Sequence, residues 1–336
     1  MKGWWWKLGS VALLMYVVII GLRTPLRPAL VHASATRIEP GEASFEVTGY
    51  NTRFATSQYV AWWLENGEAR WCATSVAPMS ETRVRLSFVV PDRLPRDMTS
   101  IATFNSLDGE LRLPEALWTV RKGGSAGTLD ASCVPANTNS AHLFAFPDRN
   151  ILNESIRNLF FHVPMWFAMM LLMTISVVQS IITLRNNSLG ADLMADTAVR
   201  VSLLFAALGL ITGSLWARVT WGGWWTSDTK LNGAAVTVLI YAAYLVLRGS
   251  VPDPHKRARL AAVYNVFAYV LMMVFIMVLP RVTDSLHPGN GGNPAFSNYD
   301  LDSSLRAVFY PACMGWIGLA YWAFRLRVRT ARLSLG

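Results

Sequence analysis

Two imidazoles and a tryptophan-rich loop are the residues in this chain best suited to chemistry. The loop runs Trp221, Gly222, Gly223, Trp224, Trp225, Thr226, Ser227, Asp228. The imidazoles are His162 and His287. Neutral imidazole is a common ligand for a transition metal. A tryptophan offers a large flat apolar face, burying up to about 150–250 Å². Two imidazoles flanking an aromatic platform suit a flat, apolar, metal-centred macrocycle.

The elements that must position these residues are membrane spans. The chain has 336 residues, of which 53% are hydrophobic and only 15% charged. Soluble domains carry about 25% charge. The apolar residues gather in runs of the length that crosses a hydrocarbon core, roughly 20 residues as helix. Six are expected, over residues 4–22, 159–184, 199–217, 233–247, 260–279 and 307–324. Between the first and second lies a polar stretch of domain size. The expected class is therefore an all-α polytopic membrane protein, a six-helix bundle with an inserted all-β, sandwich-like domain. The expected division is residues 1–30 as first helix, 31–140 as inserted domain and 141–336 as the remaining five-helix membrane domain.

The net charge of +9 has a membrane explanation, and no nucleic acid is implied. Lys2, Lys7, Arg185, Arg248, Lys256, Arg257, Arg259, Arg325, Arg327, Arg329 and Arg332 all fall on one side of a six-span chain. The positive-inside rule makes that side cytoplasmic, with both termini there. The opposite short loops hold chiefly Arg218, Lys230, Arg281 and Arg306. The inserted domain is then periplasmic in a bacterial inner membrane. Lys2, Lys7 and the His32–Ala35 stretch also resemble a signal peptide, but Arg23, Pro25, Arg27 and Pro28 separate the apolar core from that site. A retained first helix is the preferred reading.

The inserted domain reads as strands. Residues 44–48 and 82–90 alternate apolar and polar. Residues 100–105 and 110–113 flank Ser106-Leu107-Asp108-Gly109, where Asp-Gly marks a hairpin turn. Residues 123–125 and 137–140 read as linkers. Trp62, Trp63, Trp71 and Trp118 are expected in its core. Cys72 and Cys133 lie there too. Two thiols in an exported domain usually pair, and without a Cys-x-x-Cys the structural bridge is preferred to a redox-active one. Cys313 reads as a small buried apolar residue.

On this topology His162, the tryptophan loop and His287 come to one outer face. His255 is cytoplasmic, and His32 and His142 border the β domain. The arrangement points to heme iron held by two axial histidines. Simpler readings exist for each part. Tryptophans gather at membrane interfaces for solubility alone, so Trp4, Trp5, Trp6, Trp62, Trp63 and Trp322 carry no functional weight. His162 could cap a helix, and His287 with Pro288 and Gly289 could be a plain turn. No buried acid pair is expected in the spans, and no phosphate-binding Gly-rich loop is present, so neither proton pumping nor ATP hydrolysis is expected.

Residues 157–166 (RNLFFHVPMW), the loop WGGWWTSDTKLNGA and the His287 loop together resemble the heme exporter protein C family of cytochrome c maturation. The likeness takes in the first helix and residues 151 onward. It implies that His162 and His287 are axial ligands to a non-covalent heme b. It implies that Trp221, Gly222, Trp224, Trp225 and Asp228 hold heme for transfer, with Arg157 and Lys230 as the accompanying basic residues at its propionates. Arg218 and Arg281 are weaker candidates for the same contact. The implied partners are heme, a periplasmic heme chaperone, other membrane components of cytochrome c maturation, and the lipid bilayer. Ser227 stands where the family often has Trp, and Lys230 where it commonly has Arg, which exchanges a bidentate grip for a point charge. The inserted β domain has no counterpart in the likeness.

The expected job is heme binding and delivery, with no enzymatic step. The rival is an integral-membrane heme/quinone oxidoreductase, which needs a second cofactor site. A third reading makes the bundle a mere anchor for the β domain.

Overall fold

A computed structural model describes residues 3–120, 131–135, 144–149, 152–287 and 300–333. The expected linkers at 123–125 and 137–140, His142, and the Pro288–Gly289 turn lie outside the described residues. The chain divides into two compact units, residues 1–24 with 151–336, and residues 25–150.

Among the described residues the membrane unit contains six helical stretches long and apolar enough to cross a bilayer. They are α1 (Trp5–Arg23), α2 (Leu159–Asn186) led by a 3₁₀ turn (Asn153–Asn158), α3 (Leu189–Trp221), α4 (Thr229–Ser250), α5 (Pro254–Met273) and, after α6, α7 (Ser303–Leu333). α5 runs through a π-helical turn (Val274–Val278) into the short α6 (Leu279–Val282), and the three act as one span. The chain is thus a polytopic membrane protein with an inserted β domain.

Prolines inside two of the helices explain part of the packing. A proline lacks an N–H, so the carbonyl four residues earlier loses its helical partner. Pro164 in α2 leaves the Phe160 carbonyl, and Trp316 Nε1 of α7 donates to it at 3.2 Å. Pro311 in α7 leaves the Ala307 carbonyl, and the Tyr16 hydroxyl of α1 donates to it at 3.3 Å. Each break is satisfied by an aromatic from a neighbouring helix, as a lipid environment requires.

The structure corrects one expectation about the spans. α3 begins at Leu189, ten residues before the apolar run at 199, and carries Asp192 and Asp196 into the bundle. Arg248 of α4 grips Asp192 through two nitrogens at 2.6 and 2.8 Å and reaches Asp196 at 3.2 Å. All three side chains are largely buried. Arg200 of α3 adds a second cation, its Nε 2.9 Å from Asp196, so two arginines balance the two carboxylates, and breaking such a cluster by removing one partner costs about 3–5 kcal/mol. The spans therefore do contain buried acids, bound in an ion cluster. Arg248 belongs to that cluster, and is not one more exposed cation at the basic end.

The second unit is a two-sheet sandwich. Its strands among the described residues are β1 (Ala29–Ala33), β2 (Arg37–Ile38), β3 (Gly41–Tyr50), β4 (Val60–Asn66), β5 (Ala69–Cys72), β6 (Ser75–Pro78), β7 (Arg83–Val90), β8 (Met98–Asn105) and β9 (Gly109–Thr119). One sheet has the order β1-β3-β7-β6 and the other β2-β9-β8-β4-β5. Alternation sends Val84, Leu86 and Phe88 inward from β7, against Trp62, Leu64, Ile101 and Leu117 of the other sheet. The unit starts before the expected residue 31 and ends after 140. Buried Leu26 pairs with buried Phe146, and Arg27 N–H donates to the Phe146 carbonyl at 2.7 Å, so its entry and exit strands are tied together.

Trp62, Trp63 and Trp71 are buried, but Trp118 is 58% exposed, against expectation. Strand parity is the reason: Leu117 and Thr119 of β9 point inward, so Trp118 points out. Adjacent Trp62 and Trp63 face opposite sides of β4, yet both are covered. Trp63 packs with Ala61 and Ala102 beneath Cys133 and Val134. Cys72 and Cys133 are joined as a disulfide. It fastens residues 131–135 over what would otherwise be an exposed outer sheet face.

Candidate functional site

All the residues of the site belong to the membrane unit. His162 sits one turn into α2, and its ring lies edge-on between two tryptophans. The Trp166 ring centre is 6.2 Å away and that of Trp216 5.9 Å. Trp216 is itself held by its Nε1, which donates to the Ser155 hydroxyl at 3.1 Å. His162 Nδ1 lies 3.0 Å from the Gly209 carbonyl and 3.1 Å from the Thr212 hydroxyl. A carbonyl only accepts, so Nδ1 carries the proton and Nε2 the lone pair. The ring fits because α3 has no side chain at Gly213. A Cβ there would come within 2.6 Å of His162 Cε1.

His287 is placed by a different device. Asp228 is the N-cap of α4, and Oδ1 accepts from the Lys230 and Leu231 amides at 2.9 and 3.2 Å. The same carboxylate reaches across to the segment after α6. Oδ2 accepts from the Ser285 hydroxyl at 2.8 Å and the Leu286 amide at 2.7 Å, and Oδ1 lies 3.0 Å from His287 Nδ1. One buried carboxylate therefore starts a helix and tethers the histidine loop. Burial alone opposes its charge, but the Leu286 amide, the Ser285 hydroxyl, His287 and the Leu231 amide outweigh that and hold Asp228 below the usual carboxylate range. An ionised carboxylate only accepts, so His287 also keeps its proton on Nδ1. Burial pushes His287 down to about 4, opposed by Asp228 and reinforced by Lys230. At neutral pH it is a neutral donor.

The two histidines therefore present the same atom. Each has Nδ1 engaged, and neither Nε2 has a hydrogen-bond partner among the described residues. Both are held against α3, His162 by Gly209 and Thr212 and His287 by Trp221 at its end. A carboxylate or carbonyl behind Nδ1 fixes tautomer and ring orientation for ligation through Nε2. Among the described residues no group of three or more His, Cys, Asp or Glu could hold a bare metal ion. A pair of imidazoles with a macrocycle supplying the remaining ligands fits this donor set.

The tryptophan loop closes off the same end. α3 ends at Trp221 because Gly222 adopts a left-handed conformation, φ 78°, which L side chains rarely take. Trp221 meets the His287 ring edge-on, with centres 5.0 Å apart. Ser214 holds the Trp224 carbonyl at 2.8 Å, and Trp225 Nε1 donates to Asn232 at 3.1 Å. Their backbone and indole are thus anchored, while the rings stay out: Trp224 is 59% and Trp225 45% exposed.

The basic residues divide. Arg157 donates through Nη1 to the Gly21 and Thr24 carbonyls at 2.6 and 2.7 Å, and through Nε to Glu154 at 2.6 Å. It caps the C-terminal end of α1. Arg218 donates to the Gly222 carbonyl and Arg281 to the Met277 carbonyl at 2.8 Å. Lys230 sits near Asp228 and Arg281, and its ammonium has no hydrogen bond or ion pair among the described residues. Trp166, Trp216, Gly209, Thr212 and Gly213 escaped the sequence reading. The signal existed for Trp166, one helical turn from His162, but not for the residues of α3.

The sequence profile of the family described as Heme exporter protein C matches residues 126–334. That span takes in α2 to α7 and leaves α1 and strands β1 to β9 outside. Heme exporter protein C of Bradyrhizobium diazoefficiens is 33% identical over 117 residues, 35% of this chain and 44% of its own. The protein of that name from Paracoccus denitrificans is 26% identical over 146 residues, 44% of this chain and 61% of its own. Cytochrome c biogenesis protein CcsA of Prochlorococcus marinus (strain MIT 9303) is 34% identical over 88 residues, 26% of this chain and 28% of its own. The chain thus spans about half the length of the heme exporter relatives it matches. With the profile covering most of the chain, including both His162 and His287, this protein belongs to the heme exporter protein C family.

Proposed function

We propose that this chain binds heme b non-covalently between His162 and His287, at the outer face of a bacterial inner membrane, and passes it to a periplasmic heme chaperone for cytochrome c maturation. The observation that carries the reading is the matched pair of imidazoles, each backed at Nδ1 and each offering Nε2. The heme names of its relatives agree with it. The histidine end of the bundle is opposite the end bearing Lys256, Arg257, Arg259 and the arginines of α7, which supports an outer position for it by the charge rule.

When bound, heme would supply an iron for the Nε2 atoms of His162 and His287 and a flat apolar ring carrying two propionates. Trp221 abuts one ligand and braces it. Lys230 is the basic residue available to a propionate, a charge-assisted contact of about 1.5–3 kcal/mol. Arg157 acts instead by holding the end of α1 against the 3₁₀ turn that leads into α2. Trp224 and Trp225 provide exposed ring surface at the point where cargo must leave. The task is binding and transfer, with no bond broken by this chain.

Removing both exposed rings, Trp224→Ala with Trp225→Ala, tests the transfer role. The pair of substitutions leaves His162 and His287 in place, so low-spin heme bands are expected to remain. The rate of heme transfer to the chaperone is expected to fall several-fold. Unchanged heme loading and unchanged transfer would leave these tryptophans as interface anchors.

A further inference from the structure

The end of the bundle remote from the histidines carries a groove that no part of the heme reading uses. It is about 480 Å³ and lies between α4 and α5, a volume within the roughly 300–1,000 Å³ range of ligand sites. Its walls are Leu247, Leu260, Val263 and Phe267, and Tyr264 lies between the two helices. The Tyr264 hydroxyl donates to the Ile240 carbonyl of α4 at 2.9 Å, so this wall is fixed. Lys256 and Arg259 line the same groove.

The apolar side follows one face of α5. Leu260, Val263, Phe267 and Val270 recur at helical spacing, and all are exposed, Phe267 by 63%. That strip runs along the axis of a membrane span, in the direction of an acyl chain. The basic side is confined to one end, in the first turn and a half of α5. Neither Lys256 nor Arg259 has an ion-pair partner among the described residues. The nearest acid in sequence, Asp253, is occupied as the N-cap of α5, accepting from the Lys256 amide at 2.6 Å. Arg248, at the end of α4, is held by Asp192 and Asp196.

We infer that this groove seats one anionic glycerophospholipid, with its phosphate between Lys256 and Arg259 and an acyl chain along Leu260, Val263 and Phe267. Charge complementarity selects the anionic headgroup, and the helical strip selects the chain. Basic residues near a bilayer surface each contribute about 1 kcal/mol towards anionic lipid, which is about fivefold in affinity. The groove spans the same helix pair whose opposite ends hold Asp228 and lead to His287, so its occupant braces that pair from the far side.

The test is native mass spectrometry of the full chain in detergent, titrated with dioleoylphosphatidylglycerol or dioleoylphosphatidylcholine. The wild type is expected to take up one phosphatidylglycerol in clear preference to phosphatidylcholine. Lys256→Ala with Arg259→Ala is expected to reduce that preference by about fivefold per residue, whereas Lys256→Arg with Arg259→Lys retains it. Val263→Trp, which fills the groove without touching charge, is expected to weaken both lipids. Equal uptake of the two lipids by the wild type overturns the proposal. So does an unchanged preference in the double alanine variant, or unchanged phosphatidylglycerol uptake by Val263→Trp. Displacement of the bound lipid by hemin at equimolar concentration would assign the groove to a porphyrin and equally overturn it. None of these variants alters His162, His287 or the tryptophan loop, so the outcome is separable from the heme reading.

Discussion

His162→Ala and His287→Ala are each expected to convert a low-spin, six-coordinate heme into a high-spin species or to release it. Each substitution removes one strong-field nitrogen and leaves the other in place. Heme affinity is expected to fall at least tenfold, about 1.4 kcal/mol. The two variants should differ in kind. His162 sits in a slot bounded by Trp166, Trp216 and Gly213. Its removal leaves a flat space of imidazole shape, so added imidazole is expected to restore the low-spin bands. His287 lies on a loop held by Asp228. Its removal frees the loop itself, so rescue by imidazole should be weaker. Absorption spectra of both variants, with and without imidazole, check this. Wild-type bands and heme content in both would remove the ligand assignment.

The second large effect is expected at Asp228. Asp228→Ala removes the α4 cap, worth about 1 kcal/mol, and with it every bond to Ser285, Leu286 and His287. Loss of the group that orients a metal-bound histidine typically costs 10–100-fold in affinity, and that range is expected for heme. Asp228→Asn separates the two roles. Asparagine is as good a cap as aspartate, so α4 should start normally. Its oxygen can stand at Oδ1, capping α4 and facing His287 Nδ1, but the amide nitrogen at the Oδ2 position cannot accept, so the Leu286 amide loses its acceptor and the carboxylate charge behind His287 is gone. Heme affinity in Asp228→Asn is expected to fall well below wild type while thermal stability changes little. Wild-type heme affinity in the asparagine variant would reduce Asp228 to a helix cap.

Hydropathy and charge made the spans and their common end readable, because crossing a bilayer demands long apolar runs. The ends of the spans were less readable. Asp192 and Asp196 mark the first turns of α3 as polar; Arg200 one turn on pairs with Asp196, but the partner of Asp192 is Arg248, 56 residues on. In the β domain, alternation located β3 and β7, and the Asp108-Gly109 turn located the end of β8 and the start of β9. Trp118 was misjudged because tryptophan type outweighed strand parity. At the site, His162, His287 and the loop stood out by residue type. What supports them did not. Gly209, Thr212 and Gly213 look like ordinary residues of an apolar helix, and their importance is positional, one turn apart against a ring on α2. Arg157 was assigned to cargo through the family resemblance alone, and its structural contacts had no sequence signal. Its contacts with Gly21 and Thr24, more than 130 residues away, exist only once α1 is packed.

The central claim is that His162 and His287 ligate one iron together, and the absorption spectrum of the purified wild-type protein loaded with heme tests it most directly. Two imidazole nitrogens on one iron predict a low-spin spectrum, with sharp, resolved α and β bands on reduction and one heme per chain. A high-spin five-coordinate spectrum, or protein that takes up no heme at stoichiometric addition, would contradict it.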